Sequence, residues 1–592
     1  MNIIRYELTI HLTTQSPLHS GGVDVVADPT REGVDREAVA TRFARDAHER
    51  PILTGRSVKG AVRTACTRYL EKNPESDVAQ FLTKEAQARL WGDRGKKSPN
   101  GTPLRASALT FHPVEIPEEA LAGSRSGDSS EAEQRQAGAD LPCRVGIAMN
   151  RYWGAVGDGA LFVHEFVPRG NALTLVITAE GIDDEAPAKR TNTEGGADDA
   201  SEEKKEPAAP PRPATAAEVK QLLELIVGLF KAGQVSFGGR QSAGWGRIAL
   251  DDGKPKDERW RLREFSPNTR EGLKSLLSDS PLPGTELEPV NCGPAKRTRI
   301  TVTWKSPTGI LVADPGLSKQ DKADLKEERE TALAEGRIFD KKPVPTVPLR
   351  DAGGEDGPLV LPGSSVRGAL RARASRIART VLAGALGQQL NNWSEPGVTV
   401  HDQLADDPAL VRDLFGTTEQ RGALTVLDTQ AAPSANPRTV THNAGDRWTG
   451  GVAEGALYGE EVHDDARWDD IVLELDPDRL PNDQNRRRAA WCLLGLVLAE
   501  LSTGTLPLGS RGTRGLGQVE VTGLTVEGLE LLGLPGDGSW RFTTGEGQSG
   551  RDAADALLKH LRTVNEMIKP NGDTDTAGWS SYLIETGEKN NA

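Results

Sequence analysis

The sequence predicts an α+β fold made of two tandem ferredoxin-like domains. The first observation is a set of landmarks that occurs twice, in the same order, along the 592 residues. The second is that helical stretches in each copy alternate with strand-like stretches that pair over long separations in sequence. The third is the chain length, which leaves room for more than one core. With 36% hydrophobic and 27% charged residues, the composition is that of a folded globular protein.

Charge and cysteine content exclude several classes of protein. A formal net charge of −14 argues against a protein that coats nucleic acid non-specifically. The charge is uneven, because residues 363–379 contain five arginines and no acidic residue. The four cysteines are scattered and form no disulfide or zinc pattern, which favours a reducing, cytoplasmic location. The amino terminus alternates like a strand and lacks a signal-peptide core, and the longest apolar run, 489–499, is too short to span a bilayer.

Six landmarks define the repeat. Each copy opens with a strand-like stretch that ends in Ser-Pro and continues into Val-Ala-Asp-Pro. A basic motif follows, GRSVKGAVR in the first copy and GSSVRGALR in the second, with 308 residues between their starts. Downstream come an aromatic-glycine pair, a hairpin-like stretch and a glycine-rich loop. The paired positions are 16–17 and 306–307, 26–29 and 312–315, 55–63 and 363–371, 91–92 and 415–416, 150–167 and 446–462, and 238–248 and 509–519. This ordered recurrence indicates a tandem duplication.

The repeat determines the expected domain boundaries. These are a first domain over residues 1–255, a linker over 256–294, a second domain over 295–525, and an extension over 526–592 with an amphipathic helix. Two segments of the first domain, near 120–140 and over 183–215, have compositions that cannot bury a core, so we expect disorder there. Alternating charges over 319–336 predict a solvated helix.

Both basic motifs predict a helix whose start can bind an oligoanion. Gly55 and Gly363 allow a tight turn close to a ligand, and the hydroxyls of Ser57 and Ser365 can cap the helix start. Free amides beside basic side chains suit an RNA backbone, although an ordinary capped surface helix has the same pattern. The predicted RNA contacts are Gly55, Arg56, Ser57, Lys59, Arg63, Arg68, Gly363, Ser364, Ser365, Arg367, Arg371, Arg373 and Arg376.

The glycine-rich loops and the hairpin tips extend the predicted RNA surface. Glycines permit a close approach to a sugar-phosphate chain and arginines supply charge, although a simple β-turn is an alternative interpretation of these loops. The stretches NRYWG and DRWTG place an arginine on each projecting hairpin. The predicted RNA contacts in these regions are Gly238, Gly239, Arg240, Gly244, Arg247, Gly509, Arg511, Arg514, Arg151 and Arg447.

Together these landmarks resemble the RAMP superfamily, specifically the backbone subunits of type III CRISPR effector complexes. The resemblance rests on PILTGRSVKGAVR and LVLPGSSVRGALR, on NRYWG and DRWTG, and on FGGRQSAGWG and LGSRGTRGLG. It covers both copies, so the chain is similar to two fused backbone subunits. The resemblance implies an RRM-like core that binds crRNA, with target RNA paired to it and a thumb hairpin wedged into the duplex. The implied partners are a large polymerase-like subunit, a small subunit and guide-end RAMP subunits.

The signature aromatic residues of a typical RRM are absent from both copies. We therefore expect contacts to the RNA backbone, more than base stacking, to hold the guide.

The resemblance also implies an aspartate on the loop after the first strand that supports cleavage of target RNA with Mg²⁺ or Mn²⁺. Asp35 and Asp340 are the first candidates, as catalytic residues and as metal ligands, because each precedes the Asp of an Arg-Asp pair by eleven residues. This spacing is longer than the family pattern. An ungapped alignment would place Ala40 and Pro345 at the position of the aspartate.

Other assignments stay open at this stage. Asp28 and Asp314, in the Val-Ala-Asp-Pro motifs, are the alternative pair of carboxylates. The chain as a non-catalytic crRNA-binding scaffold is a second hypothesis. A guide-processing endoribonuclease that uses a histidine such as His11 or His19 is a third. The sequence contains no P-loop, nucleophile elbow or His/Cys zinc cluster.

Overall fold

The structure is a computed structural model. It describes residues 2–27, 39–93, 105–117, 141–183, 212–277, 286–314, 331, 334, 345–351, 357–384, 386–434, 436–535, 538–545, 548–571 and 578–584. Most of the two segments expected to be disordered, Asp28, Asp35 and Asp340, and most of the helix expected over 319–336 lie outside these residues.

The first domain is built on an antiparallel sheet against which two helices pack. Strand β1 alternates buried and partly exposed residues, so one face of the sheet is covered. The elements are β1 Asn2–Thr14, β2 Gly21–Ala27, β3 Val39–Phe43, β4 Ile52–Leu53, α1 Gly55–Lys72, α2 Asp77–Phe81, α3 Lys84–Trp91, β5 Leu109–Phe111, β6 Val114–Glu115, β7 Cys143–Asn150, β8 Ala155–Glu165, β9 Ala172–Asp183, α4 Ala216–Lys231, β10 Ile248–Leu250, β11 Trp260–Phe265 and α5 Arg270–Leu277.

The second domain repeats this order of elements and has its own buried core. Its elements are β12 Thr298–Lys305, β13 Pro345–Thr346, β14 Leu359–Leu361, α6 Gly363–Gly384, α7 Val400–Ala405, α8 Ala409–Phe415, β15 Leu424–Val426, β16 Thr429–Ala432, β17 Arg438–Gly445, β18 Val452–Val462, β19 Arg467–Trp468, β20 Ile471–Leu475, α9 Gln484–Ser502, β21 Glu520–Glu527, β22 Ser539–Thr543 and α10 Gly550–Glu566.

The order of the strands confirms the predicted fold class. The first sheet runs β10-β1-β9-β5 and the second runs β15-β20-β12-β21-β22, so both share one order of four core strands. Counted along each repeat, that order is fourth, first, third, second, with all pairs antiparallel. Helices α1 and α6 join the first core strand to the second, and α4 and α9 join the third to the fourth. This is the ferredoxin-like arrangement.

A hairpin projects from each domain, and both hairpins have the same register. In the first domain β7 pairs with β8, and in the second β17 pairs with β18. A short strand joins each hairpin in parallel, with Ala40 opposite Val163 and Pro345 opposite Gly459. Ala40 and Pro345 are therefore equivalent positions of the two repeats.

Two segments outside the predicted domains belong to the sheets. Within the expected linker, β11 pairs with β1 from Arg5 opposite Phe265 onward, and α5 follows it. Within the expected extension, β22 pairs with β21 and α10 packs on α9, with Leu557 and Leu561 in the core of the second domain. The predicted boundaries leave these elements outside the two domains, because the elements carry no repeated motif. Within the described ranges, no helix has the length and apolarity needed to cross a membrane.

Candidate nucleic-acid interface

A cleft separates the two domains, with α1 on one side and the second domain on the other. It contains two adjoining cavities of about 1070 and 610 Å³. The larger lies between the last turns of α1 and the start of α9. The smaller extends toward the start of α1 and the first glycine-rich loop. Both cavities are lined by Thr64, Arg68, Lys72, Arg421, Asp478, Arg479 and Arg487.

Cations outnumber anions around this cleft. Its acidic lining residues are Glu71, Asp413, Asp476 and Asp478. Its ten basic lining residues are Arg68, Lys72, Arg247, Lys296, Arg297, Arg412, Arg421, Arg479, Arg486 and Arg487. A concave surface with this excess of positive charge attracts polyanions, despite the net negative charge of the whole chain.

Several guanidinium groups are crowded together in the cleft. Arg68 and Arg479 each lie 3.5 Å from a carboxylate oxygen of Asp476. Burial, together with the positive charges of Arg479, Arg297 and Arg68, lowers the pKa of Arg421 to about 10. The Nε–H of Arg421 is buried and has no hydrogen-bond acceptor among the described residues. An entering phosphate would relieve the repulsion between these cations. Its oxygens would accept hydrogen bonds from guanidinium groups in the cleft.

Helix α1 carries its predicted residues toward this cleft, but its cap differs from the prediction. The N-cap is Thr54, whose hydroxyl accepts a hydrogen bond of 3.3 Å from the backbone N–H of Ser57. Ser57 therefore lies within the first turn, and it lines the smaller cavity. Arg56 is exposed, whereas burial and the neighbouring Arg63 lower the pKa of Lys59.

Helix α6, by contrast, does not present a free N-terminus. The backbone N–H of Gly363 donates a 2.7 Å hydrogen bond to Asp428, and Asp428 forms an ion pair with Arg144 of the first domain. Ser365 is the third residue of the helix and not its cap, and Ser364 is exposed. At Gly363 a carboxylate of the protein therefore already binds the backbone amide that the sequence predicts as part of an anion cradle.

The arginines of α6 mostly bind other parts of the protein. Arg367 is largely buried over the ring of Phe415 and donates hydrogen bonds to the carbonyl oxygens of Phe415 and Leu424. Arg371 donates from Nε and Nη2 to Asp407 at 2.9 and 2.7 Å. The structure thus assigns Arg367 and Arg371 to packing. Of the remaining three, Arg373 forms an ion pair with Glu500, Arg379 forms one with Asp406, and Arg376 is exposed.

The hairpin tips also differ from each other. Arg151, at the first tip, donates a 2.7 Å hydrogen bond to Ser375 and forms an ion pair with Asp407, while its guanidinium lies over the ring of Trp393 at 4.7 Å. It therefore joins the two domains and is buried away from an RNA surface. Arg447, at the second tip, is exposed beside Trp448, whose side chain is 95% exposed.

The two glycine-rich loops share one backbone conformation. Positive φ angles occur at Gly238, Arg240, Gly244 and Gly246, and at the matching Gly509, Arg511, Gly515 and Gly517. A side chain at Gly238 would overlap the carbonyl oxygen of His19, so its close neighbour is the protein backbone. The next residue, Gly239, is exposed and donates its N–H to the same oxygen at 2.8 Å.

The arginines of these loops have different partners. Arg247 donates to Glu474 of the second domain at 2.6 and 3.1 Å. Although burial alone would raise the pKa of Glu474, Arg247 and Arg297 lower it to about 2. Arg511 and Arg514 approach one carboxylate oxygen of Glu460 at 2.6 and 3.5 Å. These two arginines share one carboxylate of the protein, which compensates one of their two positive charges.

The structure gives limited information on the candidate catalytic residues. Of the four aspartates, only Asp314 lies in a described segment, where its backbone N–H donates to Val347 at 2.9 Å. The described residues contain no group of three or more His, Cys, Asp or Glu side chains suited to a metal ion. His11 lies beside Thr174 at 3.3 Å, and His19 Nδ1 lies 2.6 Å from the carbonyl oxygen of Glu165.

Sequence reasoning missed most of the cleft. Lys72, Arg421, Arg479 and Arg487 line both cavities, yet none was predicted. One signal was available, because α9 begins with QNRRR and has no acidic residue in its first turn. That basic run lies outside the repeated motifs, so the comparison of the two copies could not reveal it.

These features define a class of protein in which two ferredoxin-like domains form a cation-lined cleft suited to a nucleic-acid backbone. A family model for the RAMP superfamily matches residues 11–249 and 345–520, which cover most of the two repeats. The chain belongs to the RAMP superfamily, a family of CRISPR-associated RNA-binding proteins. RNA and CRISPR complexes in general are the partners of such proteins, and some members are RNases. No curated protein sequence matches the chain.

Proposed function

We propose that this chain is a fused backbone subunit of a type III CRISPR-Cas RNA-guided effector complex. It binds crRNA in the cleft between its two domains and cleaves complementary target RNA at regular intervals. The observation that carries this proposal is the cleft itself, where ten basic residues face four acidic ones beside the first basic helix and the first glycine-rich loop. Its partners in the complex would be the large polymerase-like subunit, the small subunit and the guide-end RAMP subunits.

In this proposal, Asp35 and Asp340 hold Mg²⁺ or Mn²⁺ and support cleavage of the target. A divalent cation at this position would stabilise negative charge that develops on the scissile phosphate. Both aspartates precede the equivalent residues Ala40 and Pro345 by five positions, so they match each other in the sequences of the two repeats.

The test is cleavage of target RNA by the assembled complex with Mg²⁺. We expect Asp35→Ala and Asp340→Ala each to remove a different subset of the cuts, and the double variant to remove all of them. Asp28→Ala and Asp314→Ala are the matched controls, because they remove a carboxylate from the neighbouring motif. If the Asp35 and Asp340 double variant keeps every wild-type cut, the catalytic part of the proposal fails.

A scaffold without nuclease activity is the second candidate function. It is favoured by the use of Arg151, Arg371 and Asp407 to hold the two domains together. This candidate predicts tight crRNA binding and no cleavage of target by the wild-type complex, even with Mn²⁺.

A further inference from the structure

The glycine-rich loops hold one arginine each in a conformation that is rare for a residue with a side chain. Arg240 has a φ of 54° and Arg511 a φ of 63°, and each is followed by a short 3₁₀ turn. A left-handed conformation costs a non-glycine residue about 1–3 kcal/mol. Both loops retain this conformation despite its energetic cost. In it, each arginine reaches the base of the projecting hairpin in its domain.

In the second domain the arginine meets a counter-charge that belongs to the protein. Glu460 lies on β18 with only 1% of its side chain exposed. Its carboxylate lies 2.6 Å from Arg511 Nε, 3.5 Å from Arg514 Nη1 and 3.2 Å from Nε2 of His442. The buried carboxylate therefore supplies Arg511 with a counter-charge inside the protein.

In the first domain that counter-charge is absent. The parallel bridges place Thr41 opposite His164 and Thr346 opposite Glu460, so His164 stands where the second domain has its glutamate. Burial, with the nearby charge of Arg240, lowers the pKa of His164 to about 3, and its ring is therefore neutral at pH 7. Its Nδ1 atom is buried without a hydrogen-bond partner among the described residues.

Arg240 consequently has no paired anion within the described part of the chain. Its guanidinium lies over the rings of Phe162 at 4.9 Å and Trp245 at 5.2 Å. Burial and Arg144 lower its pKa to about 10, which leaves it protonated at pH 7. The nearest opposing charge is Asp428, but this carboxylate already binds Arg144 and the N–H of Gly363. A half-buried cation on two aromatic faces is thus left for an external anion.

We propose that Arg240 binds a phosphate group of the RNA backbone, and that Glu460 blocks the equivalent site in the second domain. The two glycine-rich loops then differ in function despite their common backbone. This inference rests on the proposed function, since it assumes that the chain binds RNA. It assigns one phosphate contact to the base of the first hairpin, next to the smaller cavity of the cleft, which Trp245 lines.

The test is the affinity of the full-length protein for guide RNA across a range of salt concentrations. One contact to single-stranded RNA contributes about 0.7 to the slope of log affinity against log salt. Arg240→Asn removes the charge with a residue that tolerates the left-handed conformation. We expect it to lower the slope by about 0.7 and the affinity by about tenfold. Arg511→Asn is the matched control and leaves both unchanged, because Glu460 already neutralises Arg511.

A charge swap tests the same assignment without removing an arginine. His164→Glu gives the first domain the counter-charge that Glu460 provides in the second. We expect the same loss of slope and affinity as with Arg240→Asn. His164→Gln controls for loss of the ring and keeps wild-type binding. Thermal unfolding of each variant shows that the fold is intact. Wild-type slope and affinity for both Arg240→Asn and His164→Glu would overturn the inference, whereas absence of RNA binding by the wild type would defeat the proposed function as well.

Inorganic phosphate distinguishes the two sources of this anion. When phosphate replaces chloride at equal ionic strength, an RNA phosphate at Arg240 predicts that the difference between wild type and His164→Glu persists. If the difference appears only in phosphate and is absent in chloride, a free phosphate is the occupant and the assignment to RNA is overturned.

Discussion

The glycines that begin α1 and α6 serve the packing of the protein itself. A Cβ atom at Gly55 would overlap the carbonyl oxygen of Phe111, and one at Gly363 would overlap that of Val426. Each helix start therefore lies directly on the end of the second core strand. The sequence motif is real, but its small residues make room for a strand of the same domain.

Replacement of Gly55 tests this packing role. We expect Gly55→Ala to lower the free energy of unfolding by about 1–3 kcal/mol, because strand backbone cannot move aside without strain. Gly60→Ala in the same helix is the control. A Cβ there meets nothing within 4 Å, so this change should stabilise the helix by up to about 1 kcal/mol. Equal unfolding midpoints of the two variants in urea would contradict the explanation.

At the scale of elements, one buried carboxylate connects α6, α8 and the first hairpin. The Asp407 side chain is 0% exposed and pairs with Arg371 of its own domain and Arg151 of the other. Two cations surround one buried anion here. Removal of any one of the three groups would leave a buried charge without compensation, which destabilises the fold. This cluster is therefore a buried, charged contact between the domains.

Asp407→Asn should destabilise the protein by about 3–5 kcal/mol. The control is Glu500→Gln, which removes the partly exposed ion pair with Arg373 and should cost less than about 1 kcal/mol. Chemical denaturation measures both effects, and limited proteolysis between the domains reports their separation. An Asp407→Asn variant as stable as Glu500→Gln would show that the cluster does not hold the domains together.

The local sequence pattern predicted the secondary-structure elements better than it predicted the side-chain contacts between distant residues. The two ferredoxin-like domains followed from motifs that occur twice and from the alternation of helical and strand-like stretches. The partners of Arg151 and Arg371 could not be predicted, because Asp407 is 256 residues from Arg151 and has no repeated motif around it. Single residues also change the charge beside equivalent loops, because neutral His164 stands where the second domain has Glu460.

At the scale of the whole molecule, the two domains are joined partly by a carboxylate with a strongly lowered pKa. Glu474 of the second domain binds Arg247 of the first, and its pKa of about 2 lies below the ordinary value of 4.5. The folded protein therefore holds this proton less tightly than the unfolded chain does. The stabilisation is complete above about pH 4.5 and is lost as the pH falls through about 2.

Acidification should accordingly destabilise the protein by about 3 kcal/mol through this residue alone. The measurement is the free energy of unfolding between pH 5 and pH 2, for wild type and for Glu474→Gln. We expect the variant to be less stable at pH 5 and to lose less stability on acidification. Parallel pH profiles would exclude Glu474 as the origin of the effect.

The central claim is that guide RNA binds in the cleft between the domains. Its most direct test compares the salt dependence of guide binding for two variants of equal charge. The cleft variant carries Arg421→Gln, Arg479→Gln and Arg487→Gln, and the control carries Arg541→Gln, Arg551→Gln and Arg562→Gln on the exposed surface of the carboxyl-terminal part. Three lost phosphate contacts predict that the slope of log affinity against log salt falls by about 2 for the cleft variant and is unchanged for the control. A cleft variant with the wild-type slope, or a control with an equal loss, would contradict the claim.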